Sequence, residues 1–259
     1  MQAACLIFNL FGMKKRFSSC LAILLLLLIW SMIDLLQLPS YVFPSIAAVA
    51  RSFAYFFTEM AWYRILSASI LRVVQAFLMA AILGCVLGSL CATNNHLYRI
   101  VNPLITFIKA IPGIGWLPLS MVWFGISNGK ALFLMGQAAF FPIYLSCYQG
   151  MRSIPENYHH LAYLMKLKPM EELFQIRFPA AFPQLIVGLR NGLTICWAYL
   201  VLAEISGIST GLGVVMNDGR MLGKSDQIVM AMLLFAILGK LSDLVLLRLA
   251  HRYKRGNCL

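Results

Sequence analysis

Runs of roughly 20 apolar residues recur along this chain of 259 residues, each long enough to cross ~30 Å of hydrocarbon as a helix. Lipid offers no hydrogen-bond partner to a backbone, so runs of that length must satisfy their own amides, which a helix does. Six such spans are expected: Cys20–Leu36, Ala68–Ala92, Val101–Phe124, Ala131–Gln149, Gln184–Glu204 and Ile228–Leu247. The expected fold class is therefore all-α, a polytopic membrane protein of about six transmembrane helices. Composition agrees. Only 12% of residues are charged and 61% are hydrophobic, against the roughly 25% charged residues of soluble domains.

An even number of spans leaves both termini on one side, and basic residues choose that side. With the N-terminus inside, the inner segments hold Lys14, Lys15, Arg16, Arg99, Arg152, Lys166, Lys168, Arg177, Arg248, Arg252, Lys254 and Arg255. The outer segments hold Arg51, Arg64, Lys130, Arg220 and Lys224. Twelve against five follows the positive-inside rule, so both termini and the segment 150–183 are expected on the cytoplasmic side of a membrane that the chain crosses several times. In a soluble protein the net charge of +12 would suggest nucleic acid; in this chain it marks cytoplasmic loops, and no nucleic-acid partner is expected.

Four regions follow: a leader at 1–19, a first helix with an outer amphipathic segment at 20–67, a main transmembrane domain at 68–250, and a basic tail at 251–259. The N-terminus has the basic start and apolar stretch of a secretory signal without a clear cleavage site, so a retained first helix is expected. Met13, before Lys14, offers an alternative start. In the outer segment, Pro39 and Pro44 end one helix and begin another, and SIAAVARSFAYFF reads as an amphipathic helix. The last outer loop, GISTGLGVVMNDGRMLGKSDQ, reads as a turn-rich cap. The seven cysteines form no CxxC pair and read as small buried hydrophobes, with no metal-ligand spacing.

No GxSxG, HExxH or P-loop lysine motif is present, so the chain is not expected to be an enzyme or to bind ATP itself. His159 and His160 are adjacent, which puts them on different helix faces, and read as solvated loop residues. The third span carries Pro112, Gly113, Gly115 and Pro118, a density that breaks or bends a membrane helix. It reads either as a gate or pathway wall or as a packing kink. Lys109 beside it, and Glu204 ending the fifth span, are charges that face an aqueous pathway or cap an interface. Arg72 and Arg190 stand near span ends, where long side chains snorkel, and Lys240 and Asp243 are spaced to pair on one helix face.

The segment Tyr158–Pro183, YHHLAYLMKLKPMEELFQIRFPAAFP, is polar, basic and helix-forming, set between apolar runs. Leu161–Met165 reads as a short apolar helix, Pro169 starts another turn, and Pro179 and Pro183 mark the entry to the fifth span. Such an insert suggests a docking surface; the plainer alternative is a surface helix that only anchors the loop.

At these residues the chain resembles the permease subunits of binding-protein-dependent ABC importers. That family's signature is Glu-Ala-Ala, three residues, Gly, nine residues, then Ile-x-Leu-Pro. His160, Leu161 and Ala162 stand at its first three positions, Lys166 at the glycine, Ile176 at the isoleucine, and Phe178–Pro179 at the closing pair. LPSYVFPSIAAV, SILRVVQAF, IPGIGWLPLSMVWFGI and GLRNGLTICWAYLVLAEISG followed by GLG are similar to the nitrate, sulfonate and taurine branch. His160, Leu161 and Lys166 depart from the signature. A lysine forced to positive φ would cost roughly 1–2 kcal/mol, unless the turn changes or Pro169 makes the break.

The resemblance implies a type I importer permease-like bundle that pairs with a second copy of itself in the lipid of a bacterial inner membrane. Cytoplasmic ATPase subunits, binding ATP and Mg, would dock on the loop 150–183 through Tyr158, His160, Leu161, Ala162, Lys166, Ile176, Phe178 and Pro179. A periplasmic solute-binding protein would deliver a small, anionic solute, and this chain would bind no cofactor. The pathway or gate would involve Lys109, Pro112, Gly113, Gly115, Pro118 and Glu204. Two other readings stay open: a channel or membrane enzyme, and a permease-like scaffold that has lost ATPase coupling.

Overall fold

The computed structural model describes residues 21, 24, 25, 28–34, 39, 41–155, 158 and 164–256. The leader 1–19, Cys20 and Leu36, the signature residues His160, Leu161 and Ala162, and the last three tail residues lie outside the described set. Among the described residues every regular element is helical: α1 (Ile46–Thr58), α2 (Trp62–Thr93), α3 (Asn95–Ala110), α4 (Trp116–Phe124), α5 (Asn128–Arg152), α6 (Phe178–Ile205), α7 (Leu212–Met221) and α8 (Ser225–Gly256) are the main ones. Among the described residues four helices are long and apolar enough to cross a membrane: Trp62–Thr93, Asn128–Arg152, Met170–Ile205 and Ser225–Arg252. A fifth crossing is available if α3 and the stretch Gly113–Phe124 form one span.

The third span, Val101–Phe124 in sequence, is not one straight helix, in keeping with the density of Pro and Gly read there. It is broken by 84° between Ala110 and Gly113. The cause is local. Pro112 has no amide to continue the helix and pushes Ile111 into extended backbone (φ −74°, ψ 121°). A 3₁₀ turn at Gly113–Gly115 then restarts the chain, with the Gly115 amide donating to the Pro112 carbonyl at 2.8 Å.

The chain divides into two compact units. One comprises residues 1–60 and 218–230. Its α1 is the expected amphipathic helix, capped by Ser45, whose hydroxyl accepts from the Ala48 amide, and burying Val49, Ser52 and Phe56. Ser52 donates to the Asp226 carboxylate, and the Trp30 indole donates to the Pro44 carbonyl at 3.0 Å.

The other unit comprises residues 61–217 and 231–259, and its core is the packing of α2, α5 and α6. Val73, Ala76 and Ala80 of α2 meet Leu134, Met135 and Ile143 of α5 and Cys196 and Leu200 of α6. Between membrane helices the hydrophobic effect gives little drive, because lipid tails are as apolar as leucine; close backbone approach supplies the attraction instead. Glycines provide that approach in pairs four apart. A Cβ on Gly84 or Gly88 would stand 2.9 Å from Ile143 or 2.8 Å from Cys147, and one on Gly192 would stand 2.7 Å from Ile143. Meanwhile Leu78, Ile82 and Val86 of α2 and Ile237, Leu241 and Val245 of α8 are exposed, a face suited to lipid.

The loop 207–227 differs from the turn-rich cap read from its glycines. Residues Leu212–Met221 form a helix, flanked by glycines of positive φ at 207, 211 and 223.

Candidate functional site

Three sets of residues carry the chemistry. The first is the segment 150–183. Tyr158 is exposed and its amide donates to the Pro155 carbonyl at 3.0 Å. Lys166 has φ of 49°, the one positive value at a non-glycine among the described residues, so the turn keeps the left-handed conformation that the family's glycine would adopt. From Pro169 the chain is helical. Lys168 is held by its amide donating to Glu171 at 2.9 Å, and a five-residue π segment, Leu173–Arg177, carries Ile176. Phe178 and Pro179 then open α6, so the segment runs into the fifth span as one helix, Met170–Ile205, of 36 residues. The widened turn has a cause: Pro179 and Pro183 lack amides, leaving the carbonyls of Gln175 and Pro179 without their usual donors. Arg177 bridges the turn to Glu172 at 2.7 Å.

Phe178 and Leu173 pack against Cys147, Met151, Ala181 and Leu185, which fixes this end to the core. Leu164, Met165, Met170 and Phe174 instead point away, each more than half exposed. A strained turn at Lys166 gives a direct expectation. Lys166→Gly should hold or raise the thermal midpoint of the purified chain, relieving about 1 kcal/mol, whereas Lys166→Val should lower it. Equal midpoints for the three proteins would show that the turn is not left-handed.

The second set is the break itself. Lys109 is exposed in the last turn of α3, where a cation suits the helix dipole. Pro112, Gly113 and Gly115 make the turn, and Pro118 sits in the first turn of α4, where a missing amide is tolerated. Gly113 lies against the phenol of Tyr199 in α6, so close that a Cβ there would overlap the hydroxyl and crowd Cζ and Cε1.

The third set is a buried ion pair. Glu204, 1% exposed, accepts from Arg72 Nη1 at 2.6 Å, from Ser69 Oγ at 2.7 Å and from the Gly213 amide at 2.6 Å. Arg72 also donates to Asn128 Oδ1 at 2.8 Å and to the Thr210 carbonyl at 2.6 Å. Its guanidinium does not snorkel to an interface, as its place near a span end suggested. It is 5% exposed and spent entirely on protein partners. Beside it, buried Lys130 donates to both the carbonyl and the hydroxyl of Ser206 at 2.7 Å. The network ties α2, the start of α5, the end of α6 and the loop before α7 together. Ser69, Asn128, Lys130 and Thr210 were not singled out from sequence. The available signal was that Arg72 and Glu204, opposite charges, stand at the same end of the second and fifth spans.

Lys109 to Pro118 form one contiguous stretch, while Glu204 belongs to the buried network. Asp243 also has a different main partner from the one its spacing suggests. Arg190 binds it through Nε at 2.7 Å and Nη2 at 3.0 Å, while Lys240 stands 3.9 Å away.

Similarity to known proteins runs through these same regions. Residues 84–255 match the family described as binding-protein-dependent transport system inner membrane component. A putative aliphatic sulfonates transport permease protein of Bacillus subtilis is 28% identical over 234 residues, covering 89% of this chain and 85% of that one. A nitrate import permease protein of Leptolyngbya laminosa is 27% identical over 195 residues (75% and 70%), and a bicarbonate transport system permease protein of Synechococcus elongatus is 32% identical over 178 residues (68% and 64%). Among solved structures, an inward-facing MetNI methionine ABC transporter matches in fold with a TM-score of 0.66 at 20% identity, over 75% of this chain and 98% of that one. The chain therefore belongs to the family of inner-membrane components of binding-protein-dependent transport systems, the permease subunits of ABC importers.

Proposed function

We propose that this permease carries a small oxyanion and is driven through the segment 150–183 by a separate ATPase that binds ATP and Mg. The solutes named for the relatives (aliphatic sulfonates, nitrate and bicarbonate) are all anionic, which supports the solute class. The observation that carries the coupling reading is the continuous helix Met170–Ile205, which joins that segment to the fifth span. A rigid helix transmits a push at one end to the other, whereas a flexible loop would absorb it. At that end, Leu164, Met165, Met170 and Phe174 present an exposed apolar patch of the kind that marks a protein interface. The left-handed turn at Lys166 keeps the family's bend despite the altered signature, which weighs against the uncoupled-scaffold reading.

In this reading two copies of the chain form the transmembrane unit, with both termini and the ATPase subunits in the cytoplasm and a solute-binding protein on the outer face. Solute transit lies beside the broken span around Lys109, Pro112, Gly113, Gly115 and Pro118. The Glu204 network closes the outer end. ATP and solute need only bind its inward- and outward-facing states with different affinities to drive transport.

The test is purification of the tagged chain from native membranes in mild detergent, with assay of ATP hydrolysis. A P-loop ATPase should co-purify, and Met170→Glu with Phe174→Glu should detach it while the chain stays in the membrane. If the doubly charged variant retains the ATPase and normal hydrolysis, this patch is not the coupling surface.

A further inference from the structure

Between α6 and α8 lies a groove of about 570 Å³ that no part of the coupling or gating argument uses. Its floor is apolar, with Trp197 donating its indole N–H to Ser242 at 2.8 Å. Its lining includes Arg190, Asn191 and Thr194 of α6 and Lys240 and Asp243 of α8, which is unusual for the middle of two apolar helices. Arg190 is 41% exposed, Lys240 68% and Asp243 16%.

The bonding inside the triad leaves donors over. Asp243 takes the side edge of the Arg190 guanidinium, Nε and Nη2. The end edge, Nη1 with the second Nη2 hydrogen, remains available for a bidentate contact with an oxyanion. One carboxylate also faces two cations. The triad carries net positive charge, and the Lys240 ammonium, at 3.9 Å, is the less well compensated of the two. It stands about two turns inside the expected span end at Leu247, so exposure to hydrocarbon would be costly. Water or an anion on this face removes that cost.

We infer that this groove is a transit site for a small oxyanion, held between the free edge of Arg190 and the Lys240 ammonium, with the Asn191 amide as a neutral donor. The Thr194 hydroxyl is spent on the Arg190 carbonyl at 3.0 Å. The inference rests on the importer reading above and gives its solute a place. Asp243 has the positioning role: it orients the guanidinium and, by competing for it, keeps the site weak enough to release. Trp197 provides an optical probe in the groove.

The full-length chain in lipid nanodiscs would be titrated with ethanesulfonate and with bicarbonate, following tryptophan fluorescence. A saturable change is expected, absent in Trp197→Phe, with Kd raised about tenfold in Lys240→Gln and held in Lys240→Arg. Asn191→Leu, which leaves every charge in place, should weaken binding less. Wild-type affinity in Lys240→Gln, or no saturable change in the wild type, overturns the site. The same membrane preparation separates the two readings. ATPase co-purification without anion binding leaves the importer and removes the groove, whereas binding without an ATPase leaves the groove and removes the importer.

Discussion

Glu204→Ala is expected to destabilise the purified chain by roughly 3–5 kcal/mol, because it strips a buried guanidinium of its counter-charge. Arg72 would keep its bonds to Asn128 and the Thr210 carbonyl, but neither neutralises it. The Gly213 amide and the Ser69 hydroxyl would lose an acceptor at the same moment. Glu204→Gln keeps the shape and some of the hydrogen bonds, so its loss should be intermediate. Replacing both Arg72 and Glu204 with Met should cost less than the two single losses added together, since no unpaired charge then remains. Thermal unfolding in detergent compares these variants, the two single Met replacements included, with the wild type. A midpoint for Glu204→Ala equal to that of the wild type would show that the pair does not hold the fold. Limited proteolysis gives the local readout: the loop 206–213, tied down by these bonds, should be cut first.

How much of this was legible follows from how each feature is encoded. The five spans after the first were readable because lipid requires a continuous apolar run, a property of neighbours in sequence. The break at Pro112 was readable for a similar reason, since proline acts on its own helix and on the residue before it. The turn at Lys166 could be placed by its spacing from Ile176 and Pro179, although its left-handed φ needed the structure. Arg72 and Glu204 are 132 positions apart, and Arg190 and Asp243 are 53 apart; no local pattern pairs them. Read singly, Arg72 and Arg190 look like snorkelling charges, Glu204 like a pathway or capping charge, and Asp243 like a partner of Lys240. The helix Leu212–Met221 was missed because Gly213 and Gly219 argue against one. Gly213 is there for another reason: a Cβ at that position would stand 2.7 Å from Glu204 Cβ. A residue chosen for close approach weakens the helix signal it sits in.

The contact between Gly113 and Tyr199 is of that second kind, and Gly113→Val is the other change from which a large effect is expected. Gly113 does not adopt positive φ, so its backbone would accept a side chain. The obstacle is space: a Cβ would meet Oη, Cζ and Cε1 of Tyr199 together. No small tilt of the phenol clears the hydroxyl and two ring carbons together, so either the ring leaves α6's packed face or the 84° bend opens. Overpacking of this type costs about 1–3 kcal/mol, and valine here should reach the upper end. Tyr199→Phe removes only the hydroxyl and should not rescue, whereas Tyr199→Ala should return most of the lost midpoint. If Gly113→Val is as unstable combined with Tyr199→Ala as it is alone, the contact is not what glycine protects. Solute uptake by cells carrying the complete importer then separates architecture from transport. A doubly substituted chain that regains its midpoint but not its uptake would assign the bend to the pathway, because its fold would be intact and only the wall between the third and fifth spans altered. Recovery of both would make the bend a packing kink.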